Sequence, residues 1–391
     1  MIDTKLTNNN LPKGKIKHKI SRDDWQMRLF MAIIALYLLV AVAFPLYAIL
    51  SKSLYDQEEL FVGFANYSYY FSTPALFYSI YNSLFVAIIT TCITVSLAFV
   101  FAYALTRSCM IGKGFFKTIA MIPILVPSLL SGIALVYLFG NQGVIKSLLF
   151  GYSIYGPIGI IIAESFYTFP HALLIIMTAF SIADARMYEA AISLRASRAK
   201  IFFSVTLPGV RYGLISAAFV VFTLVITDFG IPKVIGGKFN VLAVDVYKQV
   251  VGQQNFQMGA VVSVVLLIPA MLAFTVDRIV QKKQITLLSS RAVVFAPKKN
   301  IRFDSLMLVY CILVSILIVT ILGMCQYAAL VTYWPYDMSL GLSNYQFELM
   351  DGGGWESYYN SIRLGIYTAI FGTIIVFCGA YLVEKGRGLN I

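Results

Sequence analysis

The charges of this chain come in blocks, and the stretches between the blocks are apolar for about 20 residues at a time. No other feature constrains the fold as strongly. A helix of about 20 residues crosses the roughly 30 Å of hydrocarbon in a bilayer. In that medium every backbone N–H and C=O must find its partner within the protein, which excludes lipid-facing open sheets. Only 12% of the 391 residues are charged and 59% are hydrophobic, whereas a soluble domain is about 25% charged. The sequence therefore predicts an all-α, polytopic membrane protein.

About eight spans are expected, at 29–51, 83–105, 118–140, 157–182, 213–236, 258–276, 305–326 and 361–383. Cytoplasmic loops collect Lys and Arg, and this orients the spans. With residue 1 in the cytoplasm, segments 1–28, 106–117, 183–212, 277–304 and 384–391 hold 7, 3, 5, 7 and 2 of the 30 Lys and Arg, against five in the outer loops. The net charge of +12 is thus largely a topology signal. The basic residues flank spans and do not cluster on one soluble domain, so lipid is the expected surroundings and nucleic acid is not an expected partner. The first apolar run is too long for a signal peptide and lacks a clear small-residue cleavage site, so it reads as an uncleaved span. Five cysteines and two histidines show no metal or redox spacing, and no metal or other cofactor is expected.

The chain also matches itself 278 residues on. Gly63-Phe64-Ala65-Asn66-Tyr67 aligns with Gly341-Leu342-Ser343-Asn344-Tyr345, then Tyr81-Asn82-Ser83 with Tyr359-Asn360-Ser361 and Ala102-Tyr103 with Ala380-Tyr381, all without a gap. Internal symmetry of this kind is common in transporters. The expected organisation is a basic cytoplasmic segment 1–28, a complete six-span unit 29–285, a cytoplasmic linker 286–302 and a second unit from 303 to 391. The linker reads as a basic tether. Only two spans of the second unit are present, so it is expected to be either truncated or completed by another polypeptide.

The most specific motif lies between the fourth and fifth spans, on the expected cytoplasmic side. It reads Glu189-Ala190-Ala191, three residues, Arg195, nine residues, then Val205-Thr206-Leu207-Pro208. Asp184 to Arg198 has the spacing of an amphipathic helix, with Ala190, Ala191 and Leu194 on one side. Leu207-Pro208 is expected to stop a second short helix. The pattern resembles the cytoplasmic coupling loop of ABC importer permeases, which carry glycine where this chain has Arg195.

That resemblance implies the fold of a type I ABC importer transmembrane domain in the bacterial inner membrane, with a cytoplasmic N-terminus. It implies that segment 184–208, with Asp184, Glu189, Ala190, Ala191, Leu194, Arg195, Leu207 and Pro208, contacts a separate ATPase subunit. A periplasmic substrate-binding protein would deliver the solute, and a second permease polypeptide could complete the second unit. Arginine adopts positive φ reluctantly, so either a strained turn or a helix continuing through Arg195 is expected. No Gly-rich Walker A pattern is present, so the chain is read as a transport subunit and not as an enzyme.

Polar groups within spans are costly and are functional candidates by default. Glu164, Thr168 and His171 recur on one helical face beside Pro170. Ser128 and Ser131 follow Pro123 and Pro127, and Thr227 precedes Asp228. These seven residues are candidates for a translocation path, and hydrogen bonding between helices is the plainer alternative. The run Thr227-Asp228-Phe229-Gly230-Ile231-Pro232-Lys233 is similar to a segment of fused permeases for iron(III) and 2-aminoethylphosphonate. Residues 246–260 look closer to the phosphonate branch, which makes 2-aminoethylphosphonate the first expected solute and iron(III) the second. A secondary transporter and an inactive fragment remain as alternatives.

Overall fold

The computed structural model describes residues 22–286, 293, 295–349 and 353–385. The N-terminal basic residues 1–21, linker residues 287–292 and 294, residues 350–352 and residues 386–391 lie outside the described residues. Contacts divide the chain into two compact units, Met1–Tyr47 with Phe347–Ile391, and Ala48–Gln346.

Helix α1 (Arg22–Leu38) continues through a π-helical turn into α2 (Phe44–Lys52). The larger unit then contains α3 (Ala65–Ser72), α4 (Pro74–Arg107), α5 (Lys113–Met121), α6 (Ser128–Phe139) and α7 (Pro157–Ile182). After these come two short helices, α8 (Ala185–Ser193) and α9 (Arg198–Ile201), and α10 (Leu207–Thr227). The small helices α11 (Gly230–Ile235) and α12 (Leu242–Tyr247) precede α13 (Phe256–Thr286) and α14 (Ile301–Leu330), and strands β1 (Val331–Tyr333) and β2 (Asp337–Leu340) pair antiparallel. Helix α15 (Gly354–Lys385) belongs to the smaller unit, where it packs on α1. Both are apolar nearly all round beyond their first turns, and Phe30, Leu36, Ile374 and Phe377 are exposed, the pattern of lipid-facing helices.

The core of the larger unit is α4, α7 and α10, flanked by α13 and α14. Small residues let these helices approach closely, as in other membrane bundles. A Cβ built on Gly213 of α10 would lie 2.3 Å from the Ala179 Cβ of α7. Polar bonds give the helix directions. Arg107 Nη2, at the end of α4, donates to the Phe180 carbonyl near the end of α7 at 3.0 Å, and Thr168 Oγ1 meets Thr94 Oγ1 at 3.5 Å further along both helices. Helices α4 and α7 are therefore parallel. At the opposite end of α4, Ser83 Oγ accepts from Leu242 N–H at 2.8 Å and Asn82 donates to the Asn240 carbonyl at 2.9 Å.

Two neighbouring parallel spans require a crossing between them. That crossing is α5 with α6, which meet at 103°. The expected straight span 118–140 is thus corrected to a bent pair. Pro123 and Pro127 each remove a backbone donor, and the residue before proline is pushed toward extended backbone. Val126 has φ −107° and ψ 135°. Among the described residues seven helices are long and apolar enough to cross a membrane, and eight segments do so if the bent pair counts as one.

The fifth expected span, 213–236, is corrected at both ends. Helical structure begins at Arg198 and ends at Thr227. The end is set by Asp228, whose backbone is extended and whose Oδ2 accepts from Ile231 N–H at 2.8 Å, opening α11. Pro208 does not stop the second short helix as expected. A π-helical turn, Phe202–Thr206, joins α9 to α10, and Leu207 N–H reaches back five residues to the Phe202 carbonyl. The wider turn leaves room for the proline ring, so Pro208 sits at the second residue of α10 without ending the helix, although its missing N–H removes one bond of the ladder.

The repeat recurs in three dimensions. Asn66 Nδ2 donates to the carbonyls of Ser53 and Tyr55 at 3.0 and 2.8 Å. Asn344 Nδ2 donates to those of Ala329 and Val331 at 3.3 and 2.7 Å. In both places the amide pins an antiparallel turn-back, the Tyr55–Phe61 bridge or the β1–β2 pair, to the end of the preceding span.

Candidate functional site

The loop between α7 and α10 folds as two short helices around a reversal. Asp184 caps α8, accepting from Arg186 N–H at 3.1 Å and from Val293 N–H at 3.3 Å. The Arg186 N–H chiefly holds the Asp184 carboxyl below its usual range against the opposing effect of burial, and Val293 N–H and the Arg186 side chain add smaller contributions in the same direction. Ser197 caps α9 by accepting from Lys200 N–H at 3.3 Å.

Between the caps Arg195 has φ +53°. Its N–H donates to the Ile192 carbonyl at 2.9 Å, and Ala196 N–H donates to that of Ala191 at 3.0 Å. Those two bonds define a Schellman ending, in which the left-handed residue is usually glycine. The turn is kept with arginine in that place, so the single helix Asp184–Arg198 is corrected to α8 ending at Ser193. Helix α8 turns Ala185 and Tyr188 inward and exposes Met187, Ala190 and Leu194 on the opposite side, with Leu194 82% exposed. Glu189 is exposed on its flank and Ala191 is half-buried. An exposed apolar strip at the end of a helical bundle, rimmed by Glu189, Arg195 and Arg198, suits contact with another protein.

The linker side of this site was not legible in the sequence. Val293 and Phe295 lie against α8, and the Phe295 ring centroid is 4.6 Å from that of Tyr188. The tether is packed against α8 at these residues, a contact that its basic composition does not announce. Arg107 was also missed, although it is an arginine at the end of a span, where snorkelling into solvent is usual. It is instead 9% exposed and faces the rings of Phe180, Tyr188 and Phe295.

Of the seven expected path residues, the structure brings four together. Glu164 is completely buried, and among the described residues neither carboxyl oxygen has a hydrogen-bond partner within ordinary reach. The carboxyl of Asp228 faces it. Thr168, one turn along, bonds the Glu164 carbonyl at 2.7 Å and meets Thr94. Because α4 and α7 are parallel, Thr90 stands level with Glu164, and its buried hydroxyl also lacks a partner among the described residues. Ser128 is near this group, since its Oγ lies 2.8 Å from where a Gly230 Cβ would stand. The other three are apart. Ser131 Oγ bonds the Ser128 carbonyl at 2.7 Å, Thr227 bonds its own helix at Thr223, and His171 lies against Tyr167. Among the described residues no group of three His, Cys, Asp or Glu is placed to hold a metal ion.

A family described as "Binding-protein-dependent transport system inner membrane component" matches residues 94–286. A ferric transport system permease protein, FbpB, of Actinobacillus pleuropneumoniae is 27% identical over 384 residues, covering 90% of this chain and 53% of the relative. The chain thus spans about half the length of that relative. The molybdenum transport system permease protein ModB of Azotobacter vinelandii is 30% identical over 162 residues, 39% of this chain and 71% of the relative. Among solved structures, a chain of a bacterial alginate ABC transporter, crystallised with an alginate-bound periplasmic protein, superposes with a TM-score of 0.54 at 14% identity. The match covers 69% of this chain and 97% of that one, a likeness of fold.

Proposed function

Because the chain belongs to the family of binding-protein-dependent transport system inner membrane components, we propose that it is the permease part of an ATP-driven importer. A separate ATPase would press on α8 and α9, and a periplasmic binding protein would deliver the solute at the opposite face. The observation that carries this reading is the built loop, with Asp184 and Ser197 as caps, the reversal at Arg195, and Met187, Ala190 and Leu194 left exposed. The N-terminus is assigned to the cytoplasm from the Lys and Arg distribution. Glu164, Thr168 and Asp228, with Ser128 near them, are assigned to the solute path. The repeat suggests that residues from 303 onward begin a second module, which another polypeptide or further sequence would complete.

For the solute, the ferric relative supports iron(III), and the resemblance of residues 246–260 supports 2-aminoethylphosphonate. The ferric relative spans most of this chain, so iron(III) now stands first.

Glu189→Lys tests the reading. The variant inserts into the membrane at wild-type levels, loses uptake by more than tenfold and no longer co-purifies with the ATPase. Wild-type uptake in that variant would sink the coupling role. Labelled 2-aminoethylphosphonate uptake that is displaced by unlabelled phosphonates but not by ferric chelate would reverse the order of the two solutes.

A further inference from the structure

Helix α8 has little beneath it. A cleft of about 450 Å³, lined by Met187, Tyr188, Pro208 and Arg211, opens between it and the start of α10. What holds its other side is Val293 and Phe295 of the linker. Ala185 N–H donates to the Val293 carbonyl at 2.9 Å, and Val293 N–H returns a bond to Asp184 Oδ1. Phe295 then covers Tyr188 and lies 4.5 Å from the Arg107 guanidinium, whose Nη2 is tied to the Phe180 carbonyl. Two residues on, the Pro297 carbonyl accepts from Cys109 Sγ at 3.3 Å. The segment ends at Asn300, the cap of α14, and Asp304 of α14 accepts from Cys109 N–H at 2.7 Å and Asn300 N–H at 3.0 Å.

This short stretch therefore touches α8, the end of α4 and the start of α14. Packing of an aromatic face on a desolvated guanidinium is stronger than at an exposed site, and Arg107 is nearly buried. We propose that Val293 and residues 295–300 form a strap that clamps α8 to α4 and α14, and that Phe295 is a positioning residue through which a push on α8 reaches the first span of the second repeat. The push rests on the importer reading above, whereas the clamp does not. The linker is then a working part of the coupling apparatus, and one loop moves spans of both repeats.

The test uses the full chain in its native complex in membrane vesicles. Maleimide labelling of Cys109 is read by mass spectrometry, and uptake is measured per ATP hydrolysed. The strap shields the Cys109 thiol, so Phe295→Ala raises its labelling rate about tenfold, the scale of losing one desolvated cation–π contact. Uptake per ATP falls by a similar factor while the ATPase still co-purifies, and Phe295→Tyr restores both. Val293→Pro, which removes the N–H held by Asp184, acts in the same direction by an independent route. Unchanged Cys109 labelling in both Phe295→Ala and Val293→Pro overturns the strap. Faster labelling with unchanged uptake per ATP overturns the positioning role of Phe295. Absence of any ATPase from the wild-type complex overturns the importer reading and the push, while a retained labelling contrast still supports the clamp.

Discussion

Helices α4 and α15 occupy the same place in the two repeats, 278 residues apart, and differ in what surrounds them. Ser83, Ala87, Thr90 and Thr94 of α4 are all buried. At the same offset α15 carries Ser361, Gly365, Thr368 and Gly372, again a stripe of small residues. Ser361, Gly365 and Thr368 are exposed, and a Cβ on Gly365 or Gly372 would meet nothing within 4 Å. Ser83 Oγ receives the N–H of Leu242, whereas Ser361 Oγ turns back to the Ser357 carbonyl of its own helix. A small-residue face is thus a property of sequence, and it becomes a helix seat only when a partner fills it. For α4 the partners are α7 and α10.

The comparison breaks most visibly at the second position of the stripe. Ala87→Leu overfills a closed contact and costs about 1–3 kcal/mol. Gly365→Leu collides with nothing and replaces a helix-interior glycine, which gains about 1 kcal/mol. Thermal unfolding of the detergent-solubilised chain should show shifts of opposite sign, and losses of equal size would erase the distinction. The serines give a smaller contrast. Ser83→Ala leaves the Leu242 N–H buried and unpaired, at about 1–3 kcal/mol, whereas Ser361→Ala stays within about 0.5 kcal/mol. Comparable destabilisation by both would mean that α15 is seated as firmly as α4.

The span cores were readable because apolar run length is a local property, and 157–182 coincides with α7. Other features depend on geometry that hydropathy does not carry. The break at Asp228 needs a side-chain cap, and the bend between α5 and α6 needs two prolines acting together. The early start at Arg198 was hidden because Arg198, Lys200 and Arg211 made a helical stretch look like loop. At Arg195 the local preference opposes positive φ, and the Schellman bonds prevail over it. Of the candidate site, the Glu189 motif was legible as spacing. The strap was not, since a lone Phe295 in a basic linker gives no sign of Tyr188 or Arg107, which lie far away in sequence. Glu164 and Asp228 were each read as polar groups in or near spans, and only the packing of α7 against the end of α10 makes them neighbours.

The two asparagines sharpen the comparison by predicting no difference. Asn66 and Asn344 each give both amide hydrogens to two carbonyls at the end of the preceding span. Each hairpin is built from residues within about 15 positions of its asparagine, so it needs none of the helices that separate α4 from α15. Substitution by alanine leaves two half-buried carbonyls to find water. Each loss should come to about 1 kcal/mol, and the two should agree within about 0.5 kcal/mol. Thermal unfolding of Asn66→Ala and Asn344→Ala, side by side, measures this. Agreement would confine the difference between the repeats to their second spans. A much smaller cost for Asn344→Ala would mean that the second repeat is already loosened at its first turn-back, before α15 begins.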